Sequence, residues 1–380
     1  MASRVERSAG ADAERDRAFM RRALALARRG RPHPNPFVGA VVVRDGRIVG
    51  EGCHRRRGAP HAEAVALARA GRQARGATLY VTLEPCDHLG LTPPCTRAVL
   101  AAGIRRVVVG ARDLDPRVRG RGLRRLRRSG VEVEVGVLAP AAAAINEAYD
   151  HYQRSGLPLV ELKVAASLDG RLALASGAAR WITGPDARRE AHRLRARADA
   201  VMVGAGTVRE DDPALTVRHV RGPSPLRVVV SGRLDLPPAS RLLVDGEAPT
   251  WILTTPASAD SRRARRLVRP GVEILALPGP RARAGEVDLR AAMAFLALRG
   301  ARRVLVEGGA GLATRLLSQG LVGRLTLFLA PIVLGGEHRE WAGALGIRDL
   351  AAGIHLVEVL SRRLGEDLLV SGRIGPPGKR

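Results

Sequence analysis

Short runs of apolar and β-branched residues alternate with helix-like segments along most of this chain. In its first part the strand-like runs are GAVVVRDG, RIVGEG, ATLYVTLE, RRVVVGA and VEVEVGVL, and helices are expected at about 15–29, 61–70 and 95–102. Alternation of this kind is typical of layered folds in which helices cover a central sheet. The sequence therefore predicts an α/β protein.

A boundary is expected near the middle of the chain. A helix predicted over 139–155 is followed by RSGLPLV, in which Gly156 and Pro158 interrupt regular structure. Strand–helix units then begin again at LVELKVAASLDG and are expected to run to the end of the chain. Because 380 residues exceed the roughly 150 that one domain commonly needs, we predict one domain over 1–153 and a second over 157–380.

The chain is strongly basic, with a formal net charge of +26. All of its basic residues except Lys163 and Lys379 are arginines, and they are spread along the chain rather than gathered in one patch. The densest run, RVRGRGLRRLRRSG at 117–130, resembles a phosphate-binding surface but carries no aromatic residue for base stacking. We interpret it as a solvated helix face and expect no nucleic-acid partner.

Membrane and disulfide-rich classes are not favoured. No apolar run reaches about 18 residues, and the first residues, MASRVERSAGADAERDR, are charged without an apolar core. We therefore expect a cytoplasmic protein with no membrane association. The three cysteines are too few for a disulfide framework, which leaves metal binding, catalysis or packing. Cys53 has no polar context and is expected to pack in the interior.

Two segments of the first part combine metal-ligand residue types. PHAEAVALARAG at 60–71 places His61 and Glu63 in the first turn of a predicted helix, and EPCDHLGLTPPC presents Cys86 and Cys95 beside prolines. One imidazole and two thiolates suit a single tetrahedral Zn²⁺ ion with its fourth position open to water, which is the arrangement of a catalytic site. Zinc would lower the pKa of that water, and Glu63 would carry its proton to a leaving amine.

This pattern is that of zinc deaminases, H-x-E followed by P-C-x-x-C, with one difference. Eight residues, not two, separate Cys86 from Cys95. Taken singly, a histidine at a helix start can be a structural hydrogen-bonding residue, and a lone cysteine can be part of a core. The conjunction of all four residues favours zinc.

The second part contains a glycine-rich turn. EGGAG at 307–311 follows the apolar strand RRVLV and precedes the helical LATRLLSQG. Backbone amides at such a helix start can hold a cofactor phosphate, although a plain turn between strand and helix fits equally well. The polar loop TVREDDPALTVR is a second candidate, and together the two segments favour a nucleotide-binding crevice.

Longer stretches make a family resemblance specific. HPNPFVGAVVV, GAPHAE and EPCDHLGLTPPC resemble the deaminase half of the bifunctional riboflavin-biosynthesis deaminase/reductases. LKVAASLDGRLA, WITG, GAGTVREDDPALTVR and VLVEGGAGLATRLL resemble the reductase half. The resemblance covers nearly the whole chain. It implies an N-terminal cytidine-deaminase-like three-layer domain, a C-terminal dihydrofolate-reductase-like domain, zinc, NADPH and a pyrimidine ribosyl phosphate substrate. A homo-oligomer is expected as well, although the sequence does not give the oligomeric state.

The resemblance also implies roles for individual residues. Pyrimidine contacts are expected from Asn35, His54 and His88. Asn35 lies between two prolines, and a plain turn residue is the less favoured alternative there. The residues expected around NADPH are Ala165, Trp181, Thr207, Asp211, Gly309, Ala310 and Gly311. Those expected to bind the substrate of the reductase are Lys163, Arg195, Leu215, Arg218 and Glu307. Arginine suits this role because its planar fork matches phosphate.

The chain departs from the family pattern at three places. ARDLDP has Leu114 and Asp115 where the family usually has the second and third residues of Asp-Pro-Asn-Pro, so a substrate contact by Asp115 is not carried over. Ala179 stands where a serine is common, and Ser231-Gly232 stands where Asp-Ser is common. One substrate contact and one cofactor contact of the reductase are therefore in question.

The function expected from these observations is bifunctional. The zinc domain would hydrolytically deaminate 2,5-diamino-6-(ribosylamino)pyrimidin-4-one 5'-phosphate, and the second domain would reduce the ribosyl side chain to ribityl with NADPH. An alternative is a nucleic-acid-associated zinc deaminase fused to a regulatory nucleotide-binding domain, against which the long cysteine spacing argues. A catalytically silent scaffold is a third reading, which zinc content and NADPH oxidation would exclude.

Overall fold

The computed structural model describes residues 4–173, 182–279 and 285–376. The chain divides into two compact units, Met1–Gly156 and Leu157–Arg380, and each is described by itself. None of the described helices is both long and apolar enough to cross a lipid bilayer.

One five-stranded sheet forms the centre of the first unit. Its strands in chain order are β1 Gly39–Arg44, β2 Arg47–Cys53, β3 Thr78–Leu83, β4 Arg106–Ala111 and β5 Glu132–Val135. The spatial order is β2-β1-β3-β4-β5. β1 is antiparallel to both β2 and β3, whereas β3, β4 and β5 are mutually parallel.

Helices cover both faces of this sheet. They are α1 Arg4–Ala27, α2 Ala62–Ala70, α3 Cys95–Ala101, α4 Arg121–Arg128, α5 Ala139–Ile145 and α6 Glu147–Ser155, with a 3₁₀ turn at Gly71–Ala74. Alternate strand residues enter opposite cores, because Val42 packs with α2, α3 and α4 while Val41 packs with α1 and α5. Three layers result.

Three expectations for the first unit are corrected. The first helix spans Arg4–Ala27 rather than about 15–29. His61 lies immediately before α2 in an extended conformation, so only Glu63 is in the first turn. The helix expected over 139–155 is two helices, interrupted at Asn146. The Asn146 amide exchanges two hydrogen bonds with the backbone of Phe37, at 2.7 and 3.0 Å, a long-range contact that local helix propensity does not reveal.

A nine-stranded sheet forms the centre of the second unit. The strands of this unit are β6 Leu159–Ser167, β7 Arg171–Ala173, β8 Ala200–Gly204, β9 Leu226–Val230, β10 Thr250–Thr254, β11 Val272–Ala276, β12 Arg303–Val306, β13 Val322–Ala330, β14 Arg339–Glu340, β15 Leu356–Leu364 and β16 Asp367–Ile374. The order is β11-β10-β9-β8-β12-β6-β13-β16-β15, and β7 pairs separately with β14. The first seven strands of that order are parallel, and the last two are antiparallel additions.

Helices also lie on both faces of the larger sheet. They are α7 Pro185–Arg197, α8 Ala205–Asp211, α9 Arg241–Val244, α10 Pro256–Ala259, α11 Arg262–Leu267, α12 Leu289–Leu298 and α13 Ala310–Ser318. Met202 and Val228 belong to the core beneath α12 and α13, whereas Val201 and Val229 belong to the core that includes α9 and α11. The parallel strands are therefore buried on both faces.

The expectation that strand–helix units continue to the end of the chain is wrong. After α13 the described residues form β13 and then the β15–β16 hairpin, which extends the sheet without a helix between its strands. The hairpin turns at Gly365-Glu366, and Gly365 has a φ of 65°. A positive φ at the first central residue suits a two-residue hairpin turn.

Glycine in β2 determines how closely α2 approaches the sheet. A β-carbon built at Gly52 would lie 2.2 Å from the Ala62 carbonyl oxygen and 2.8 Å from the Ala66 nitrogen. Helix α2 therefore packs directly on the strand backbone at this point. The position of its first turn, which carries Glu63, depends on that close contact.

We expect the substitution Gly52→Ala to destabilise the first unit by about 3 kcal/mol or more, because backbone atoms cannot yield to the added methyl group. Hydrogen exchange followed by mass spectrometry should show faster exchange in α2 and β2 and unchanged exchange in the second unit. Gly336→Ala is the matched control, since nothing lies within 4 Å of its built β-carbon. Unchanged exchange in α2 would contradict this account of the packing.

Candidate active sites

Three potential metal ligands converge in the first unit. His61 immediately precedes α2, Cys86 follows the end of β3, and Cys95 is the first residue of α3. One ligand atom from each lies within 4.8 Å of the others. His61 Nδ1 is 3.2 Å from Cys95 Sγ and 3.6 Å from Cys86 Sγ. The three segments thus bring together the ligand set predicted from the sequence.

These distances fit a zinc ion. Zinc bound at about 2.3 Å to sulfur and about 2.0 Å to nitrogen with tetrahedral angles places the nitrogen and each sulfur roughly 3.5 Å apart. The two observed separations bracket that value. One imidazole and two thiols are also the donor types that zinc prefers. The residues present therefore fit the metal.

The two thiols interact through a hydrogen bond. Donation from the Cys95 thiol lowers the pKa of Cys86, with a further contribution from His61, although burial opposes the shift. The same hydrogen bond, together with burial, raises the pKa of Cys95. A metal ion that binds both sulfur atoms must displace the proton of this hydrogen bond.

Glu63 lies beside the ligands but is not one of the three clustered residues. Only 3 % of the surface of Glu63 is exposed. Burial raises the pKa of Glu63 to about 7, and the nearby Cys86 thiolate acts in the same direction. The sequence-based assignment of Glu63 as a proton carrier rather than a ligand stays a prediction, and this placement suits it.

Asn35 and His54 form a polar pair beside the metal ligands. His54 Nδ1 is 3.3 Å from the Pro60 carbonyl oxygen, which can only accept, so Nδ1 carries the proton. Nε2 consequently accepts from Asn35 Nδ2 at 3.2 Å. The His54 ring meets the His61 ring edge-on with centroids 5.0 Å apart. The Asn35 amide is therefore oriented by a histidine that contacts a predicted zinc ligand, and its contact with the pyrimidine stays a prediction.

Two other polar residues of the first unit, His88 and Asp115, bear on the predicted pyrimidine contacts. His88 Nδ1 is buried and has no hydrogen-bond partner among the described residues. Asp115 binds Arg117 through both carboxylate oxygens, at 2.6 to 3.1 Å. Those bonds engage the carboxylate at the position where this chain departs from the family pattern. Leu114 lies between Asp115 and the buried Asp113.

A second polar cluster lies at the centre of the larger sheet. Glu307 follows β12 and binds the Arg195 guanidinium of α7 at 2.5 and 2.9 Å. Lys163 Nζ of β6 is 3.5 Å from Glu307 Oε2. Burial alone would raise the pKa of Glu307, but the charges of Arg195 and Lys163 outweigh it and lower the pKa to about 2. Three of the five residues predicted to bind the reductase substrate are thereby in contact.

The glycine-rich turn and Thr207 form a cradle. Strands β8 and β12 are adjacent and parallel, so α8 and α13, which follow them, begin at the same edge of the sheet. A β-carbon at Gly308 would lie 2.9 Å from Thr207 Oγ1. Gly309 precedes α13 with a φ of 37°, and Ala310 and Gly311 begin that helix. Exposed amides beside a hydroxyl fit a cofactor phosphate.

The remaining predicted reductase residues are placed as follows. Ala165 lies on β6, Asp211 ends α8, and Leu215 and Arg218 lie in the loop after α8. Trp181 and Ala179 lie outside the described residues. Gly232 is explained by packing, because its β-carbon would lie 2.1 Å from the Gly285 carbonyl oxygen. Ser231 donates a hydrogen bond to Asp235 at 3.1 Å.

One residue near this site was missed by the sequence analysis. His192 lies on α7, three residues before Arg195, and accepts a hydrogen bond from the Arg218 backbone. The only local signal was its spacing, since residues three apart share a helix face. The three-residue spacing of His192 and Arg195 does not reveal a function by itself, because the loop that contains Arg218 is what His192 contacts.

The fold and the two sites define a two-domain enzyme that combines a metal-dependent hydrolase centre with a nucleotide-dependent reductase. Residues 13–111 match the cytidine and deoxycytidylate deaminase zinc-binding region, and residues 158–370 match the RibD C-terminal domain. The chain is 42% identical to the riboflavin biosynthesis protein RibD of Aquifex aeolicus, covering 94% of this chain and 98% of that protein. The chain is also 42% identical to RibD of Escherichia coli, covering 93% of this chain and 98% of that protein. The chain belongs to the RibD family of bifunctional deaminase/reductases of riboflavin biosynthesis.

Solved structures agree with this assignment. Acinetobacter baumannii RibD superposes with a TM-score of 0.84 at 35% identity, covering 96% of this chain and 100% of that one. A Thermotoga maritima diaminohydroxyphosphoribosylaminopyrimidine deaminase/5-amino-6-(5-phosphoribosylamino)uracil reductase gives the same TM-score, identity and coverage. The predicted fold class, a cytidine-deaminase-like domain followed by a dihydrofolate-reductase-like domain, is confirmed. The bifunctional activity and the cofactors zinc and NADPH are confirmed as well. This function is supported over the alternative of a nucleic-acid-associated deaminase.

We expect Cys86→Ser to weaken zinc binding by more than about a hundredfold. Loss of a residue that only hydrogen-bonds to a ligand costs up to about a hundredfold, and loss of a ligand itself should cost more. Metal analysis of the purified protein should find zinc lost and deamination abolished, while reduction of an already deaminated substrate persists. Cys53→Ser is the control, because Cys53 is a free cysteine on β2 outside the cluster. Full zinc occupancy in the Cys86 variant would exclude the three-ligand assignment.

Proposed function

We propose that the first unit deaminates 2,5-diamino-6-(ribosylamino)pyrimidin-4-one 5'-phosphate and that the second then reduces the ribosyl side chain to ribityl. The deaminase domain is assigned to 1–153 and the reductase domain to 157–380. The convergence of His61, Cys86 and Cys95 around one metal-sized space carries the first assignment. The name of the Thermotoga maritima relative, which gives both substrates for that protein, supports the choice of substrate.

His61, Cys86 and Cys95 are proposed to hold the zinc ion. When bound, zinc supplies an acidified water molecule for hydrolysis. Glu63, buried beside the ligands, takes a proton from the water and delivers it to the departing amine. Its placement in the first turn of α2, two residues after His61, keeps the carboxylate close to the metal without using it as a ligand.

Asn35, His54 and His88 are proposed to orient the pyrimidine. His54 uses one ring nitrogen on the Pro60 carbonyl and the other on Asn35. The Asn35 amide is therefore held in one orientation, with its carbonyl oxygen available to accept from a ring N–H or amine. His88 Nδ1, which has no partner among the described atoms, can supply a further hydrogen bond to the pyrimidine edge.

The cradle at the start of α13 is proposed to hold NADPH. The amides of Gly309, Ala310 and Gly311 and the Thr207 hydroxyl are proposed to bind a cofactor phosphate. The family membership of the chain adds Ala165, Trp181 and Asp211 as proposed cofactor contacts, although Trp181 lies outside the described residues. When bound, NADPH supplies the reducing equivalents for the sugar carbonyl. Open space around Gly311, where nothing lies within 4 Å of a built β-carbon, supports this proposal.

The substrate of the reductase is proposed to lie between the charged cluster and the loop after α8. Lys163 approaches the sugar, where its ammonium group can hydrogen-bond the carbonyl oxygen that takes up a proton. Arg195 is engaged by Glu307 and by the Thr216 carbonyl oxygen at 3.0 Å, so it orients Glu307 as well as adding positive charge. Arg218 is exposed, and its guanidinium donates to Thr216 Oγ1 at 3.3 Å. It is proposed to carry the charge that meets the phosphate.

We further propose a cytoplasmic homo-oligomer without a nucleic-acid partner. Zinc binding requires Cys86 and Cys95 to stay reduced, which a reducing compartment favours. The edge strand β15 exposes Val359 and Leu360, a surface suited to a second copy of the chain. In the arginine-rich run, Leu123 is buried in the core while the arginines of α4 face outward, as expected for a solvated helix face.

We expect Glu63→Gln to keep zinc bound and to slow deamination by about a hundred- to ten-thousandfold, the range that general acid–base groups supply. Given the diamino substrate and NADPH, this variant should consume almost no NADPH, and adding the deaminated compound should restore consumption. Asp150→Asn is the matched control, since burial raises the pKa of Asp150 to about 6 in the same unit but outside the site.

The outcomes separate the parts of the proposal. Loss of zinc from the Glu63 variant would make Glu63 a ligand or a structural residue. Unchanged deamination would remove it from proton transfer. Rapid NADPH oxidation with the diamino compound alone would show that reduction does not require prior deamination, and the proposed order would be wrong.

A further inference from the structure

The loop at 212–218 has an unusual backbone. Asp212 and Leu215 have φ angles of 39° and 55°, in the left-handed region that residues with a β-carbon rarely adopt. Leu215 is also buried, with 2 % of its surface exposed. A leucine keeps such a conformation only where its surroundings impose it, and such positions concentrate at functional sites.

Side chains from several elements impose this conformation. Arg227 and Arg195 donate to the carbonyl oxygens of Ala214 and Thr216, at 3.3 and 3.0 Å. The Ser224 hydroxyl accepts from the Val217 N–H at 3.1 Å. The loop is therefore bound at two peptide groups, the one after Ala214 and the one between Thr216 and Val217.

His192 binds the next peptide group. The Arg218 backbone N–H donates to His192 Nδ1 at 3.1 Å, and because a backbone N–H can only donate, Nδ1 is the unprotonated ring nitrogen. His192 is 5 % exposed, and its ring meets that of His219 edge-on with centroids 4.5 Å apart. Since His192 and Arg195 share one face of α7, a single helix face holds both Thr216 and Arg218.

We propose that His192 is a positioning residue of the reductase, which fixes the backbone from which the Arg218 side chain reaches the phosphate of the substrate. This inference rests on the proposed phosphate-binding role of Arg218. His192 itself touches neither substrate nor cofactor in this account. Its effect is confined to the orientation of one exposed arginine.

The electrostatic surroundings keep the acceptor available. Burial lowers the pKa of His192 to about 4, and the nearby Arg195, His219 and Arg218 add to the shift, whereas Glu307 opposes it. The ring is therefore uncharged near neutral pH. His192 Nδ1 can therefore accept the hydrogen bond from the Arg218 backbone N–H near neutral pH.

The test is the preference of the reductase for a phosphorylated substrate. In the full chain, kcat/KM with NADPH is measured for the deaminated ribosyl phosphate and for its dephosphorylated counterpart. His192→Leu keeps bulk but removes the acceptor, and His192→Asn can return an acceptor near the Nδ1 position. Arg218→Ala tests the phosphate contact itself. Arg193→Ala is the control, because Arg193 is the adjacent residue of α7 and pairs with Glu190.

We expect His192→Leu to lower the ratio of the two kcat/KM values about tenfold, as for loss of one hydrogen bond that holds a charged contact. The loss should appear in KM for the phosphorylated substrate, with kcat and the KM for NADPH within about threefold of the parent enzyme. His192→Asn should stay within about threefold of the parent ratio. Arg218→Ala should lower the ratio further, and Arg193→Ala should leave it unchanged.

The two failures are distinguishable. If Arg218→Ala leaves the ratio unchanged, the proposed phosphate role of Arg218 is wrong. If Arg218→Ala lowers the ratio but His192→Leu does not, the positioning role is wrong. A His192→Leu enzyme that loses NADPH affinity and kcat in parallel would point to a general structural role instead. Should that variant not fold, His192→Asn decides: a ratio as low as that of Arg218→Ala overturns the inference.

Discussion

Both sites depend on one constraint of layered α/β folds, namely that parallel strands end at a common edge where the following segments begin. In the first unit, the segment after β3 delivers Cys86, and α3 then begins with Cys95. In the second, β8 and β12 end side by side, so α8 and α13 start together around Thr207 and Gly309. Side chains and amides that are distant in sequence meet at this edge, which is where α/β sheets commonly bind ligands.

The two sites use buried charge in different ways. Around Glu63 the neighbours are an imidazole and two thiols, and burial together with a thiolate raises the pKa of the carboxyl group to about 7. Around Glu307 the neighbours are Arg195 and Lys163, and their charges lower the pKa to about 2. These opposite surroundings suit the two proposed roles, proton transfer by Glu63 in the first unit and orientation of the substrate by Glu307 in the second.

The sequence predicts the metal ligands and the family better than it predicts where helices break and how the last strands connect. His61, Cys86 and Cys95 could be proposed as ligands because their residue types leave few alternatives, and the longer motifs then identified the family. The break at Asn146 could not be predicted, because it depends on hydrogen bonds to Phe37 more than a hundred residues away. The terminal hairpin was missed because the strand–helix pattern was extrapolated past α13. His192 was missed because its proposed role depends on a hydrogen bond from the backbone of Arg218, 26 residues further along the chain.

The most direct test of the account is mass spectrometry of the products formed from the diamino ribosyl phosphate by zinc-loaded enzyme, with and without NADPH. Without NADPH, the account predicts a product in which one NH unit has been replaced by oxygen and no hydrogen has been added to the side chain. With NADPH, that product should be replaced by one that has gained H₂. A reduced product that retains both amino groups, or deamination that requires NADPH, would contradict the assignment of two independent sites acting in this order.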